Sequence, residues 1–131
     1  MVNENYILQI SLIQEEARKL EEQLSIINQQ IMEFMSIKES LKYIKEKNKK
    51  TLLSLGKGIF VETEIKNKEL FVNVGNGVVL KKTIEETKEI INKQLEELER
   101  LKNQIVINIE ILSLELEKII EKINENKKIK N

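Results

Sequence analysis

The chain has 131 residues, with 22 basic side chains balancing 22 acidic ones, 40% apolar residues and 4% aromatic ones. That length suits one domain, and a charge-rich, balanced composition suits long solvated helices rather than a polyanion binder. Cysteine, histidine and proline are absent, which removes disulfides, thiolate metal sites, the usual acid–base catalyst and any proline break in a helix.

The opening Met1-Val2-Asn3-Glu4-Asn5 lacks the basic region and apolar core of a signal peptide. No apolar run is long enough to cross a bilayer. A soluble, cytoplasmic protein is expected. A first helix is predicted over 4–48. Its apolar seam is Tyr6, Ile10, Ile13, Ala17, Leu20, Leu24, Ile27, Ile31 and Phe34, stepping alternately by four and three, the heptad pattern that asks for a coiled-coil partner. Beyond Phe34 the seam positions fall to Lys38 and Lys45, with Ile37, Leu41 and Ile44 nearby. This reads as a three-residue phase shift that overwinds the coil locally.

The stretch over 52–82 has a different character. It holds all 4 glycines of the chain, as Gly56-Lys57-Gly58 and Gly75-Asn76-Gly77. Glycine tolerates the positive φ of tight hairpin turns, so two successive β-hairpins are predicted. They look like an internal repeat: Leu53-Ser54-Leu55-Gly56-Lys57-Gly58-Ile59-Phe60-Val61 aligns with Val72-Asn73-Val74-Gly75-Asn76-Gly77-Val78-Val79-Leu80. Alternation places Ile59, Val61 and Ile65 on one face, opposite Glu62 and Glu64, and places Leu70, Val72 and Val74 together, opposite Asn73. An isolated hairpin is marginal in water. The strands, through Leu53, Leu55, Ile59, Val61, Val72, Val74, Val78 and Leu80, are therefore expected to pair with another subunit at their open edges.

A second helix is predicted over 84–123. Thr83 and Glu86 make a capping-box pattern at its start. Its seam runs through Ile84, Ile91, Leu95, Leu98, Ile105, Ile109, Leu112, Leu116, Ile119 and Ile123, with Lys88 and Lys102 as polar interruptions. The tail over 124–131 is polar and is expected to fray. Each helix is about 60–70 Å long at 1.5 Å per residue. The β segment returns the chain, so the expected architecture is α+β: a long antiparallel two-helix coiled coil with two hairpins between its helices. Both termini lie at the free end of the coil.

Two helices need only one seam, and this chain has apolar residues to spare. Ile7, Leu8 and Leu12 lie off the seam in the first helix, and Val106, Ile107, Ile111, Leu114 and Ile120 lie off it in the second. Antiparallel pairing puts both sets toward the free end. Such exposed apolar patches mark a binding surface; the alternative is a helix from another subunit that covers them.

No constellation points to catalysis. Gly75-Asn76-Gly77 lacks the third glycine and following helix of a dinucleotide loop, and Gly56-Lys57-Gly58 lacks the ending of a P-loop. The glutamate pairs Glu15-Glu16, Glu21-Glu22 and Glu96-Glu97 fit a solvated helix face, and the serines have no histidine to activate them. Neither a metal nor a cofactor is expected. Between Lys45 and Lys82 nine lysines face four glutamates, which reads as a solvated basic collar. Nucleic acid and membrane are not expected partners.

The order helix, hairpin, hairpin, helix, with Leu52-Leu53-Ser54-Leu55-Gly56-Lys57-Gly58-Ile59-Phe60-Val61 and then Leu70-Phe71-Val72-Asn73-Val74-Gly75-Asn76-Gly77-Val78-Val79-Leu80, resembles the alpha-class subunits of archaeal prefoldin over nearly the whole chain. The resemblance implies an ATP-independent holdase that is not an enzyme. Its hairpins would assemble into an oligomeric β-barrel platform with beta-class subunits. Its coiled-coil tips, here Ile7, Leu8, Leu12, Ile111, Leu114 and Ile120, would grip unfolded client proteins and pass them to a chaperonin. Two positions depart from the family pattern: Ser54, where proline is frequent, and Lys81, near which an acidic residue is frequent. Both lie in the assembling strands, so a subunit that joins copies of itself stays open. The competing reading is a structural coiled-coil protein that forms homo-oligomers or filaments through its hairpins and has no client.

Overall fold

The computed structural model describes residues 4–46, 50–66 and 68–129. In chain order these form helix α1 (Glu4–Glu46), strands β1 (Lys50–Gly56), β2 (Ile59–Glu64), β3 (Glu69–Gly75) and β4 (Val78–Thr83), and helix α2 (Ile84–Ile129). Positions 47 and 48 of the predicted first helix, and 130 and 131 of the tail, lie outside the described residues.

Two boundaries differ from the sequence expectation. β1 starts at Lys50, ahead of Leu52, because the ladder continues through Thr51↔Thr63 and Lys50↔Glu64. Thr63 Oγ1 also donates to the Thr51 carbonyl at 3.1 Å. At the other end α2 runs past Ile123 to Ile129. The polar tail holds neither glycine nor proline, and its glutamate and lysines are good helix formers, so loss of the apolar seam does not stop the helix.

The chain divides into two compact units. The first is helical and joins Met1–Ile31 to Glu97–Asn131. Within it the predicted α1 seam from Tyr6 to Ile31 is half-buried, while Leu98, Ile105, Leu112 and Ile119 of α2 are buried at heptad spacing. Lys102, Ile109, Leu116 and Ile123 form the half-buried row between them. The pairing is antiparallel: Ile13 shares a groove with Ile119, and Ile27 shares one with Ile105. On the water side Arg18 joins Glu15 at 2.6 Å and also pairs with Glu22. That contact holds the Glu15 carboxyl below its ordinary range and raises the Arg18 guanidinium.

The second unit spans Met32–Glu96 and contains the hairpins. Its core is Leu41, Ile84 and Ile91, with Phe34, Ile44, Leu70 and Leu95 packed against it. The predicted phase shift does not begin directly after Phe34. Leu41 is only 4% exposed and Lys38 is half-buried, whereas Ile37 stays 45% exposed. The original frame therefore holds as far as Leu41, because the aliphatic stem of a lysine can lie along a seam while its ammonium reaches water; Ile44 then packs on the core, one residue ahead of that frame. The Lys45 side chain lies outside the described residues.

Candidate functional site

Each hairpin forms its own two-stranded antiparallel sheet, β1 with β2 and β3 with β4. The turns are built from positive φ at both central residues, Lys57 (52°) with Gly58 (78°) and Asn76 (52°) with Gly77 (74°), the mark of a type I′ hairpin turn. A bulge precedes each turn, between Ser54 and Gly56 in the first hairpin and between Asn73 and Gly75 in the second. The bulge glycine N–H donates to the side chain two residues back: Gly56 to Ser54 Oγ at 3.3 Å, Gly75 to Asn73 Oδ1 at 2.9 Å. The internal repeat seen in the sequence is thus a repeat of register, bulge and turn.

The bulge also corrects the expected alternation. Leu70 and Val72 are half-buried, but Val74 is exposed, because the extra residue in the bulge breaks the two-residue period. Leu53, Leu55, Ile59, Val61, Val78 and Leu80 are exposed as well.

Sequence alternation missed that both faces of the hairpins are apolar and open. Leu52, Phe60, Phe71 and Val79 point away from the face it selected, yet all are exposed, Phe71 to 69%. The signal lay in the runs Leu52-Leu53 and Ile59-Phe60-Val61, since a short continuous apolar run reads as a strand covered on both sides. Every strand has one neighbour and one open edge among the described residues. Open edges flanked by apolar faces are templates for further strand pairing.

Both hairpins meet the helices: Tyr43 of α1 lines a groove with Lys50, Thr51, Leu52 and Glu62 of the first, and the second is anchored at two points. Leu70 packs on the core, and β4 passes into α2 at Thr83 without a linker. Charged pairs cross both hairpins, Lys50 with Glu62 at 3.8 Å and Lys81 with Glu69 at 3.9 Å. Lys81 Nζ also lies 5.7 Å from the Phe71 ring centroid, within cation–π range.

In the helical unit the surplus residues Ile7, Leu8, Leu12, Ile107, Ile111, Leu114 and Ile120 are all exposed. Leu12 lines the groove of Ile13 and Ile119, which Glu115, Lys118 and Lys122 flank. Ile26 and Leu101 are exposed too and line a second groove with Ile27 and Ile105, bordered by Gln23 and Gln104. Sequence reading passed over this pair because each stands beside a seam residue and looks like part of it. Among the described residues no helix is long and apolar enough to cross a membrane, and no cluster of acidic, histidine or cysteine side chains could hold a metal ion.

A heptad-paired helical unit and twin open-edged hairpins between the two helices define a coiled-coil protein of the helix–hairpin–hairpin–helix class. Comparison with known proteins gives the class its family. The prefoldin family model, described as prefoldin subunit, matches residues 13–129. Prefoldin subunit alpha of Methanococcus vannielii is 33% identical over 117 residues, covering 88% of this chain and 80% of that relative. Prefoldin subunit alpha of Methanococcus maripaludis is 32% identical over 103 residues, covering 78% of this chain and 71% of that relative. A cryo-EM structure of filamentous PFD from Methanocaldococcus jannaschii matches with a TM-score of 0.56 at 21% identity, covering 90% of this chain and 94% of that one, a likeness of fold. The chain belongs to the prefoldin family of chaperone subunits.

Proposed function

We propose that this chain is a cytoplasmic, ATP-independent holdase subunit without enzymatic activity. It holds non-native proteins by apolar contact along its helical unit and passes them to a chaperonin. Its hairpins join beta-class subunits or copies of itself in a β-barrel platform. The observation that carries this reading is the surplus of exposed apolar side chains in the helical unit, Ile7, Leu8 and Leu12 on α1 with Ile111, Leu114 and Ile120 on α2. None is needed for the seam, and exposed apolar area of this kind serves contact with a partner. Unfolded chains present apolar segments of varied sequence, which a non-directional apolar surface accepts without a shaped pocket.

The test is suppression of aggregation of a denatured protein by the parent and by a variant with Ile7, Leu8 and Leu12 all changed to Ser. The expected result is weaker suppression at unchanged oligomer size. Equal suppression by the two proteins would overturn the assignment of these residues. Loss of the oligomer would show that they are packed permanently against another subunit. A parent that suppresses no aggregation would leave an assembly protein without a client.

A further inference from the structure

The two hairpins share one backbone plan and carry inverted charges. Leu52↔Glu62 in the first corresponds to Phe71↔Lys81 in the second, and Lys50↔Glu64 corresponds to Glu69↔Thr83. At the matched positions Lys50 stands where the second hairpin has Glu69, and Glu62 stands where it has Lys81. Each cross-strand ion pair is therefore repeated with its signs exchanged. Beyond those pairs β2 adds Glu64 and β4 adds Lys82. Every strand carries charge of one sign: basic in β1, acidic in β2 and β3, basic in β4.

Resting on the reading that the hairpins are the assembly surface, we propose that two copies of this chain join through unlike hairpins, the first of one copy against the second of the other. Glu62 facing Lys81 selects that pairing, and Glu64 and Lys82 add to the opposite charge of β2 and β4. The backbone cannot make this choice. Register, bulge and turn are the same in both hairpins, so a geometry open to two like hairpins is equally open to an unlike pair. Apolar area does not choose either, since both hairpins expose it on both faces.

Charge separates the two arrangements. In a two-fold contact of like hairpins, residues near the axis meet their own copies, Glu62 with Glu62 or Lys81 with Lys81, and like charges placed opposite one another destabilise a strand pair. In the unlike contact of β2 with β4 that position brings Glu62 to Lys81. Lys57 at the first turn and Lys66 and Lys68 between the hairpins are the other charges of this segment, and the test leaves them unchanged. Made once between two copies, the unlike contact is heterologous and builds a ring or an open array according to its rotation; made twice about a two-fold axis, first on second and second on first, it closes a dimer.

The experiment measures self-association of the full chain by sedimentation and native mass. It compares the parent, K81E/K82E, E62K/E64K, an equal mixture of the two, the fourfold variant, and V79K, with helix content checked by circular dichroism. Each double variant should weaken self-association about tenfold at low salt, several exposed pairs having been turned repulsive, and by less at high salt. The mixture and the fourfold variant should both recover it. A double variant that associates like the parent, or a mixture that fails to recover, would overturn the pairing rule. A parent that stays monomeric would overturn it as well. V79K tests the underlying reading separately: if it associates like the parent, the hairpins are not the assembly surface, whereas its failure to associate beside an unaltered K81E/K82E removes the pairing rule alone.

Discussion

Thr83 and Glu86 cap each other at the junction of β4 and α2. The Thr83 N–H donates to a Glu86 carboxylate oxygen at 3.0 Å, and the Glu86 N–H donates to Thr83 Oγ1 at 3.0 Å. One residue thereby ends the second hairpin and starts the helix, so the direction of β4 is set by the first turn of α2. The buried Thr87 reinforces the joint by donating from Oγ1 to the Thr83 carbonyl at 2.8 Å.

Loss of the cap should therefore be felt in both elements. Thr83→Ala is expected to cost about 1 kcal/mol. Hydrogen bonding from the Thr83 backbone, and then its side chain, holds the Glu86 carboxyl below its ordinary value. A carboxylate depressed on folding contributes stability that is fully present above its unfolded pKa and is lost as pH falls through its folded pKa. The advantage of the parent over Glu86→Ala should thus be present at neutral pH and shrink on acidification below the ordinary carboxylate range. Thermal melts of the two proteins at pH 7 and pH 3 check this; a gap that does not change would mean that the ionised carboxylate is not what caps the helix.

The turns make a second prediction, in which the left-handed backbone rather than crowding decides. A Cβ at Gly77 would meet nothing within 4 Å, but φ there is +74°. Gly77→Val should cost about 1–3 kcal/mol, confined to the second hairpin. It should disrupt assembly while helix content stays near that of the parent. In the first turn Lys57 takes the same left-handed position as Asn76, and asparagine tolerates that region better than lysine. Lys57→Asn should therefore stabilise the first hairpin by roughly 0.5 kcal/mol. Amide exchange within β1 and β2 reads the gain, and faster exchange would contradict it.

The course of the α1 seam supplies a third. Leu41 is buried in the core and Ile37 stands outside it. Leu41→Ala should cost about 2–5 kcal/mol, and Ile37→Ala well under 1 kcal/mol, as for a surface position. Urea unfolding of both variants decides between a frame that holds to Leu41 and one that shifts before it. Similar losses at the two positions would place the start of the shift at Ile37.

These comparisons show what was legible in the chain. The row from Ile84 to Ile119 could be read directly, because the same residue type returns at each heptad and burial follows it. The capping box was legible because it is local. The α1 frame beyond Phe34 was not: a lysine at a seam position looks like an interruption by polarity, whereas its stem packs like an apolar residue. The hairpins were found through their glycines, but the bulges at Leu55 and Val74 could not be read from alternation. One extra residue reverses the face of all that follows, and only the strand partner reveals it. The exposed apolar residues of the helical unit were visible as surplus; what covers them depends on molecules outside this chain.

Lys102 carries the last prediction. It occupies a half-buried position in the α2 seam between Leu98 and Ile105, both buried. Its stem covers apolar surface while its ammonium must reach water, so the position is compatible with pairing without being optimal for it. Lys102→Leu should raise stability by about 1 kcal/mol through added apolar burial. A cost in uniqueness should accompany the gain. The neighbouring heptads repeat isoleucine and leucine so closely that a displaced pairing would bury nearly the same residues, and a polar seam residue is what penalises such a shift. The variant should melt at a higher temperature while its native mass distribution and its amide exchange become more heterogeneous than those of the parent. A higher melting temperature with a single, parent-like exchange pattern would show that register is fixed elsewhere. A lower melting temperature would show that the Lys102 ammonium makes a contact the coil depends on.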